Sequence, residues 1–135
     1  MTEVSSQLQN LDLNSKDSHK ISFNFTVLKE QLSAEAIVLT DCIYLWAGKR
    51  RICDILFFAR GDHSLHISGD PTPNHLIWLQ QLTLKLAKLF KDKQVYFSTD
   101  LGTDNFEAQD PTYWNVFFDS LKTQIDLKKP FFKLN

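Results

Sequence analysis

The sequence predicts an α+β fold, an antiparallel sheet of about five to six strands with two α-helices in the order ββββ-α-β-α. Three observations carry this. Four apolar segments of strand length follow one another between residues 21 and 59, joined by short polar links. Two later segments, each opened by proline, place apolar residues at helical spacing. A short alternating segment, Gln94 to Asp100, lies between them. Strands grouped ahead of helices favour an antiparallel sheet with helices on it over an alternating α/β design.

Taken in order, Ile21, Phe23 and Phe25 alternate with Ser22, Asn24 and Thr26, which reads as a strand with one dry face. Ala34 to Leu39 is the second strand, and Thr40-Asp41 reverses the chain. Cys42 to Gly48 is the third strand, and the Gly48-Lys49-Arg50-Arg51 turn leads to the fourth, Ile52 to Ala59. The third strand presents Cys42, Tyr44 and Trp46 on one side and Ile43, Leu45 and Ala47 on the other. The fourth presents Ile52, Leu56 and Phe58 against Cys53, Ile55 and Phe57. Strands that are apolar on both sides are covered on both sides. Two helices cover one face of the sheet, so a second layer or a second subunit is expected on the other. Arg60 to Gly69 reads as a loop or short extended piece, with Leu65 and Ile67 pointing one way.

The first helix starts at Asp70-Pro71-Thr72-Pro73, where Asp70 or Thr72 can accept from free backbone N–H groups, and runs to about Lys91. Leu79, Leu82, Leu86, Leu89 and Phe90 form its inward stripe. Lys85, Lys88, Lys91 and Lys93 gather late, as the helix dipole favours. Ile77 and Leu84 sit two turns apart on the side opposite that stripe, a candidate partner surface. Val95 and Phe97 point inward from the fifth strand, and a loop runs from Leu101 to Gln109. Asp110-Pro111 starts the second helix, with Trp114, Phe117, Phe118, Leu121 and Ile125 on one face. Pro130 ends it, and the last residues expose Phe131 and Phe132 unless they dock.

The 135 residues make one domain, assigned to 19–127, with a polar flexible N-terminal tail at 1–18 and a C-terminal tail at 128–135. A net charge of -1 argues against a phosphate backbone or an anionic membrane as the main partner. The start lacks a basic, apolar leader and no apolar run approaches roughly 20 residues, so a cytoplasmic or nuclear protein is expected. Cys42 and Cys53 read as free core thiols. His63 and His66, near Asp62, Asp70 and His75, lack the converging frame of a zinc site. With no activated nucleophile and no glycine-rich phosphate loop, neither an enzyme nor a cofactor is expected. Asp54 is an odd charge in an apolar run. Lys49, Arg50 and Arg51 form a compact cation cluster, a candidate docking point for an acidic protein surface.

Leu39-Thr40-Asp41, leading into an apolar strand that ends Leu45-Trp46-Ala47-Gly48, resembles a pattern of the proteasome assembly chaperone 4 family. Lys93-Gln94-Val95 is similar to that family's strand after the first helix, and Asn105-Phe106 to its Asn-Phe ahead of the last helix. The resemblance spans about residues 19–125, and its residues are structural rather than catalytic. It implies a non-catalytic chaperone, cytosolic and nuclear, that forms a heterodimer with proteasome assembly chaperone 3. The pair would bind proteasome α-type subunits while the 20S α-ring forms, without a cofactor. The ending Phe132-Lys133-Leu134-Asn135 lacks the hydrophobic-Tyr-x terminus of other proteasome-binding chaperones, so tail insertion into ring pockets is not expected. The alternative is a small dimerising α+β adaptor of trafficking or signalling.

Overall fold

The structure, a computed structural model, describes residues 19–91, 93–101 and 109–132. Its strands are β1 (His19–Val27), β2 (Glu30–Val38), β3 (Cys42–Gly48), β4 (Ile55–Arg60), β5 (His63–Ser68) and β6 (Gln94–Thr99). Its helices are α1 (Pro73–Leu89), α2 (Pro111–Leu127) and the short α3 (Lys129–Phe132). The class is α+β, as the sequence predicts. The strands form one sheet in the order β1-β2-β3-β6-β4-β5.

The sheet departs from the expected antiparallel arrangement at one seam. β3 and β6 run parallel, and every other neighbouring pair is antiparallel. Chain order suggests that β3 pairs with β4. Instead β6 returns after α1 and inserts between them. A parallel pair needs a crossover of a dozen or more residues, and the β4-β5-α1 stretch supplies it. The inserted strand leaves β3 and β4 interior, which fits their two-sided apolar sequences.

Strand ends also move. β2 begins at Glu30 rather than Ala34, because β1 and β2 form a hairpin through Leu28 and Lys29, with Val27 opposite Glu30. Leu28 takes a left-handed φ of 57°, a conformation that favours glycine, so the turn has no sequence signal. β4 begins at Ile55 rather than Ile52. Residues 60–69 contain a sixth strand, β5, turned by Gly61-Asp62 with Arg60 opposite His63 and φ of 60° at the glycine.

The three described helices lie on one side. α1 packs over β4, β5 and β6, and α2 over β1. Thr72 caps α1 by accepting from His75 N–H (3.2 Å), and Asp110 caps α2 by accepting from Thr112 N–H (2.9 Å); a proline follows each cap. Inward from α1 point Leu79, Leu82 and Leu86, with Leu89 only partly buried. Inward from α2 point Tyr113, Trp114, Phe117, Leu121 and Ile125. Phe118 is half-buried, with the Lys85 ammonium 5.3 Å from its ring centre. Phe117 meets Phe25 and Phe97 edge-on, at ring separations of 5.2 and 6.2 Å.

Beyond α2 the chain turns into α3 rather than trailing as a tail. Phe132 is fully buried against Phe23 and Phe90, while Phe131 is 60% exposed. Phe132→Ala should therefore cost about 3–5 kcal/mol in urea unfolding, and Phe131→Ala less than about 0.5 kcal/mol.

Candidate interaction surface

The side of the sheet away from the described helices carries the candidate site. Side chains alternate along each strand, so directly paired residues share a face. The pairing registers join Lys20, Ile37, Tyr44, Tyr96, Phe58 and Leu65 into one row across all six strands. Five of the six are apolar or aromatic. Tyr44 stacks on Tyr96 with ring centres 4.5 Å apart and 6° between planes, and Phe58 stands 5.1 Å from Tyr96. Leu65 is 60% exposed, and Ile67, beside the β4/β5 bulge, is 45% exposed. The next row, Ser22, Glu35, Trp46, Ser98, Leu56 and Ser68, is mostly polar.

The segment between β3 and β4 shelters one end of this face. Trp46, 1% exposed, donates its indole N–H to the Ile52 carbonyl (2.8 Å). Ile37 and Trp46 form a small cluster with Leu39, Tyr44 and Cys53. Asp100, at the end of β6, fixes the backbone of this segment. Its carboxylate, 4% exposed, accepts from the N–H groups of Lys49 (2.9 Å), Arg50 (2.6 Å) and Ile52 (3.4 Å). Gly48 lies so close that a Cβ there would stand 2.2 Å from Asp100 Oδ1. Glycine at 48 thus makes room for the carboxylate that organises the turn.

Lys49, Arg50 and Arg51 do project from this turn, and each is engaged by an acid. Lys49 pairs with Glu30, Arg50 with Asp54 (3.3 Å) and Arg51 with Glu35 (3.5 Å). Asp54, the odd charge of the sequence, is explained by Arg50. Ile77 and Leu84 lie on α1, on the other side of the sheet from the aromatic row; Ile77 is 52% exposed and Leu84 half-buried.

The family-like residues converge. Leu39, Thr40, Asp41, Leu45, Trp46 and Gly48 belong to β3 and its entry, and Lys93, Gln94 and Val95 to β6 and its entry. These are the parallel neighbours. Lys93 Nζ donates to the Leu39 carbonyl (3.1 Å), and Gln94 N–H to the Asp41 carbonyl (2.9 Å). Two segments some fifty residues apart are thereby clamped where both strands begin. Asn105 and Phe106, like the 1–18 tail, lie outside the described residues.

The face is uncharged at its centre. Burial raises the Tyr44 phenol above its usual range, with smaller contributions from Cys42 and Tyr96. Burial likewise raises both thiols; Asp41 adds to the effect at Cys42, and a hydrogen bond with Ser98 opposes it at Cys53. Both cysteines are free. Among the described residues no group of three or more His, Cys, Asp or Glu side chains could hold a metal ion. His75 instead packs between Trp78 and Trp114, and His66 lies over Phe57. A groove of about 140 Å³ between α1 and α2, edged by Trp78, Lys85 and Trp114, is smaller than the roughly 300–1,000 Å³ of ordinary ligand pockets. No described helix is long and apolar enough to cross a membrane.

No protein-family model matches the chain, and neither does any curated protein. A solved structure does. A chain of the crystal structure of a novel chaperone complex for yeast 20S proteasome assembly aligns over 86% of this chain and 98% of its own length, with TM-score 0.59 and 14% identity. The fold therefore resembles that of a proteasome assembly chaperone structure.

Sequence alone finds Tyr44 and Phe58 on one side of their strands but assigns Tyr96 nothing. The alternation that sends Val95 and Phe97 inward already places Tyr96 outward. It finds neither the row nor Asp100, because both depend on β6 lying beside β3.

Two outcomes follow from this geometry. Asp100→Ala strands amides now satisfied by the carboxylate and should lower stability by about 2–3 kcal/mol in chemical unfolding. The raised thiol and phenol values give a pH dependence. The unfolded chain loses these protons first, near about pH 8.5 for thiols and about 10 for phenol. The stability contribution is complete below those values and declines as pH rises toward the folded ones. Thermal melting at pH 8 and pH 10.5 should show a lower Tm at the higher pH, with a smaller decrease in Tyr44→Phe.

Proposed function

We propose that this protein is a non-catalytic assembly chaperone that acts as a heterodimer with proteasome assembly chaperone 3. The pair binds α-type subunits and promotes 20S α-ring formation in the cytoplasm and nucleus, without a cofactor. The observation that carries the reading is the row from Tyr44 to Leu65, an aromatic and aliphatic strip on the sheet face away from the described helices. A specific dimer buries about 1,200–2,000 Å² in total, and an apolar strip across several strands is the kind of centre such an interface needs. The fold likeness to a yeast 20S assembly chaperone complex and the β3/β6 motif residues support the same reading.

In this reading the sheet face is the pairing surface. The partner offers a second apolar sheet face, and the two layers close on Tyr44, Tyr96 and Phe58 as sheets do in a sandwich. The polar row beside it forms the rim. Selection among α subunits then comes from surfaces left outside the pair, which hold one orientation and reject wrong neighbours.

Light scattering after size exclusion tests the pairing. Mixed with proteasome assembly chaperone 3, the chain should elute as a one-to-one complex. Phe58→Asp combined with Tyr96→Asp should weaken the complex at least 100-fold, an estimate from the loss of central aromatic anchors. Alkylation of Cys42 should also slow on pairing. Undiminished pairing by the double variant would remove the sheet face from the reading. A tagged chain that recovers trafficking or signalling proteins and no 20S subunits would favour the adaptor alternative.

A further inference from the structure

Helix α1 has an outward stripe as regular as its inward one. From Thr72 to Lys91 the chain contains no acidic residue. Ile77, Gln81, Leu84 and Lys88 recur at spacings of four, three and four residues, which at about 100° per residue gathers them on one line, and Lys91 follows just past the Phe90 cap. That line is opposite the buried stripe of Leu79, Leu82 and Leu86. Gln81, Lys88 and Lys91 are exposed, and Ile77 is 52% exposed.

Some cations of the molecule are matched with acids. Lys49, Arg50 and Arg51 each face an acid, and Lys122 pairs with Asp126 at 4.0 Å. Among the described residues no acid pairs with Lys88 or Lys91. The helix dipole accounts for lysines near a C-terminus. It does not account for an isoleucine half in water about three turns earlier on the same line, nor for the lack of any acid along the helix.

We propose that this stripe is a second docking surface, and that its occupant is an acidic protein surface with a small apolar recess for Ile77. Resting on the function proposed above, that occupant is an α-type 20S subunit. Charge complementarity selects it: two lysines without acidic partners attract a carboxylate-bearing surface, and Ile77 supplies a contact that salt does not screen. The stripe and the aromatic row lie on opposite sides of the sheet, so both surfaces can be occupied together. A membrane fits less well. The main apolar face of α1 is already spent on the sheet, which leaves one isoleucine and a half-buried leucine, far from the apolar face of a lipid-binding helix.

The test uses the full chain paired with proteasome assembly chaperone 3, with each purified 20S α-type subunit immobilised in turn at 50 and 300 mM NaCl. Lys88→Glu combined with Lys91→Glu should weaken binding about tenfold or more at low salt and flatten its salt dependence. Ile77→Ser should weaken it several-fold at both salts. Lys88→Gln with Lys91→Gln is the milder pair, should charge reversal lower the melting temperature. Pairing with the chaperone partner should be unchanged in all of them. If the variants bind the α subunit as the wild type does, the α1 surface is overturned while the proposed function stands. If the wild type binds no α-type subunit, both fall. If the wild type binds phosphatidylserine vesicles and the lysine variants do not, the occupant is a membrane and the inference is overturned.

Discussion

The parallel seam between β3 and β6 determines most of what is distinctive in this molecule. It sets Tyr44 against Tyr96 and so creates the stacked centre of the open sheet face. The same direction of travel brings the end of β6 to the end of β3, where Asp100 reaches the turn that begins at Gly48. At the opposite end it lets Lys93 and Gln94 tie to Leu39 and Asp41. An antiparallel pairing of β3 with β4 would produce none of these. The seam is also where the residues resembling a known chaperone family gather, which gives them a shared structural reason.

Much of the fold is legible locally. Thr72 and Asp110 ahead of prolines mark both long helices, and the spacing of Trp114, Phe117, Leu121 and Ile125 identifies the buried face of α2. The two-sided apolar character of Cys42 to Gly48 signals a strand inside the sheet rather than at its edge. Three features are harder to see. Leu28 turns a hairpin without glycine, so nothing in the sequence separates β1 from an early β2. Gly61-Asp62 is a readable hairpin signal, but polar His63, Ser64 and Ser68 disguise the strand that follows. The place of β6 depends on contacts some fifty residues apart, and no local pattern encodes those. The aromatic row inherits this last difficulty: its members are visible one by one, their alignment only through the sheet.

The two sides of the sheet carry different chemistry. On the helix side, rings pack edge to face and Phe132 fills the space beside Phe23. On the other side, burial raises the Cys42 and Cys53 thiols and the Tyr44 phenol, in and beside an apolar strip. Lys49, Arg50 and Arg51 are matched with acids, so that turn is neutralised within its own neighbourhood. Helix α1, on the other side, carries lysines and no acid. Under the proposed function, an apolar strip and a separate acid-free helix would suit two neighbours by different forces, burial on one side and electrostatic steering on the other.

The central position of β6 also bears on how the chain reaches its folded state. β1, β2 and β3 emerge from the ribosome first and can pair among themselves, and β4 and β5 can close their own hairpin. Each of these pieces then presents an unsatisfied inner edge, β3 on one and β4 on the other, until the strand destined to lie between them has been synthesised. For that interval the nascent polypeptide displays two sticky margins rich in isoleucine, leucine and phenylalanine, the arrangement most open to swapping strands with a neighbour. A molecule whose last strand is its keystone depends on rapid closure once that strand is available.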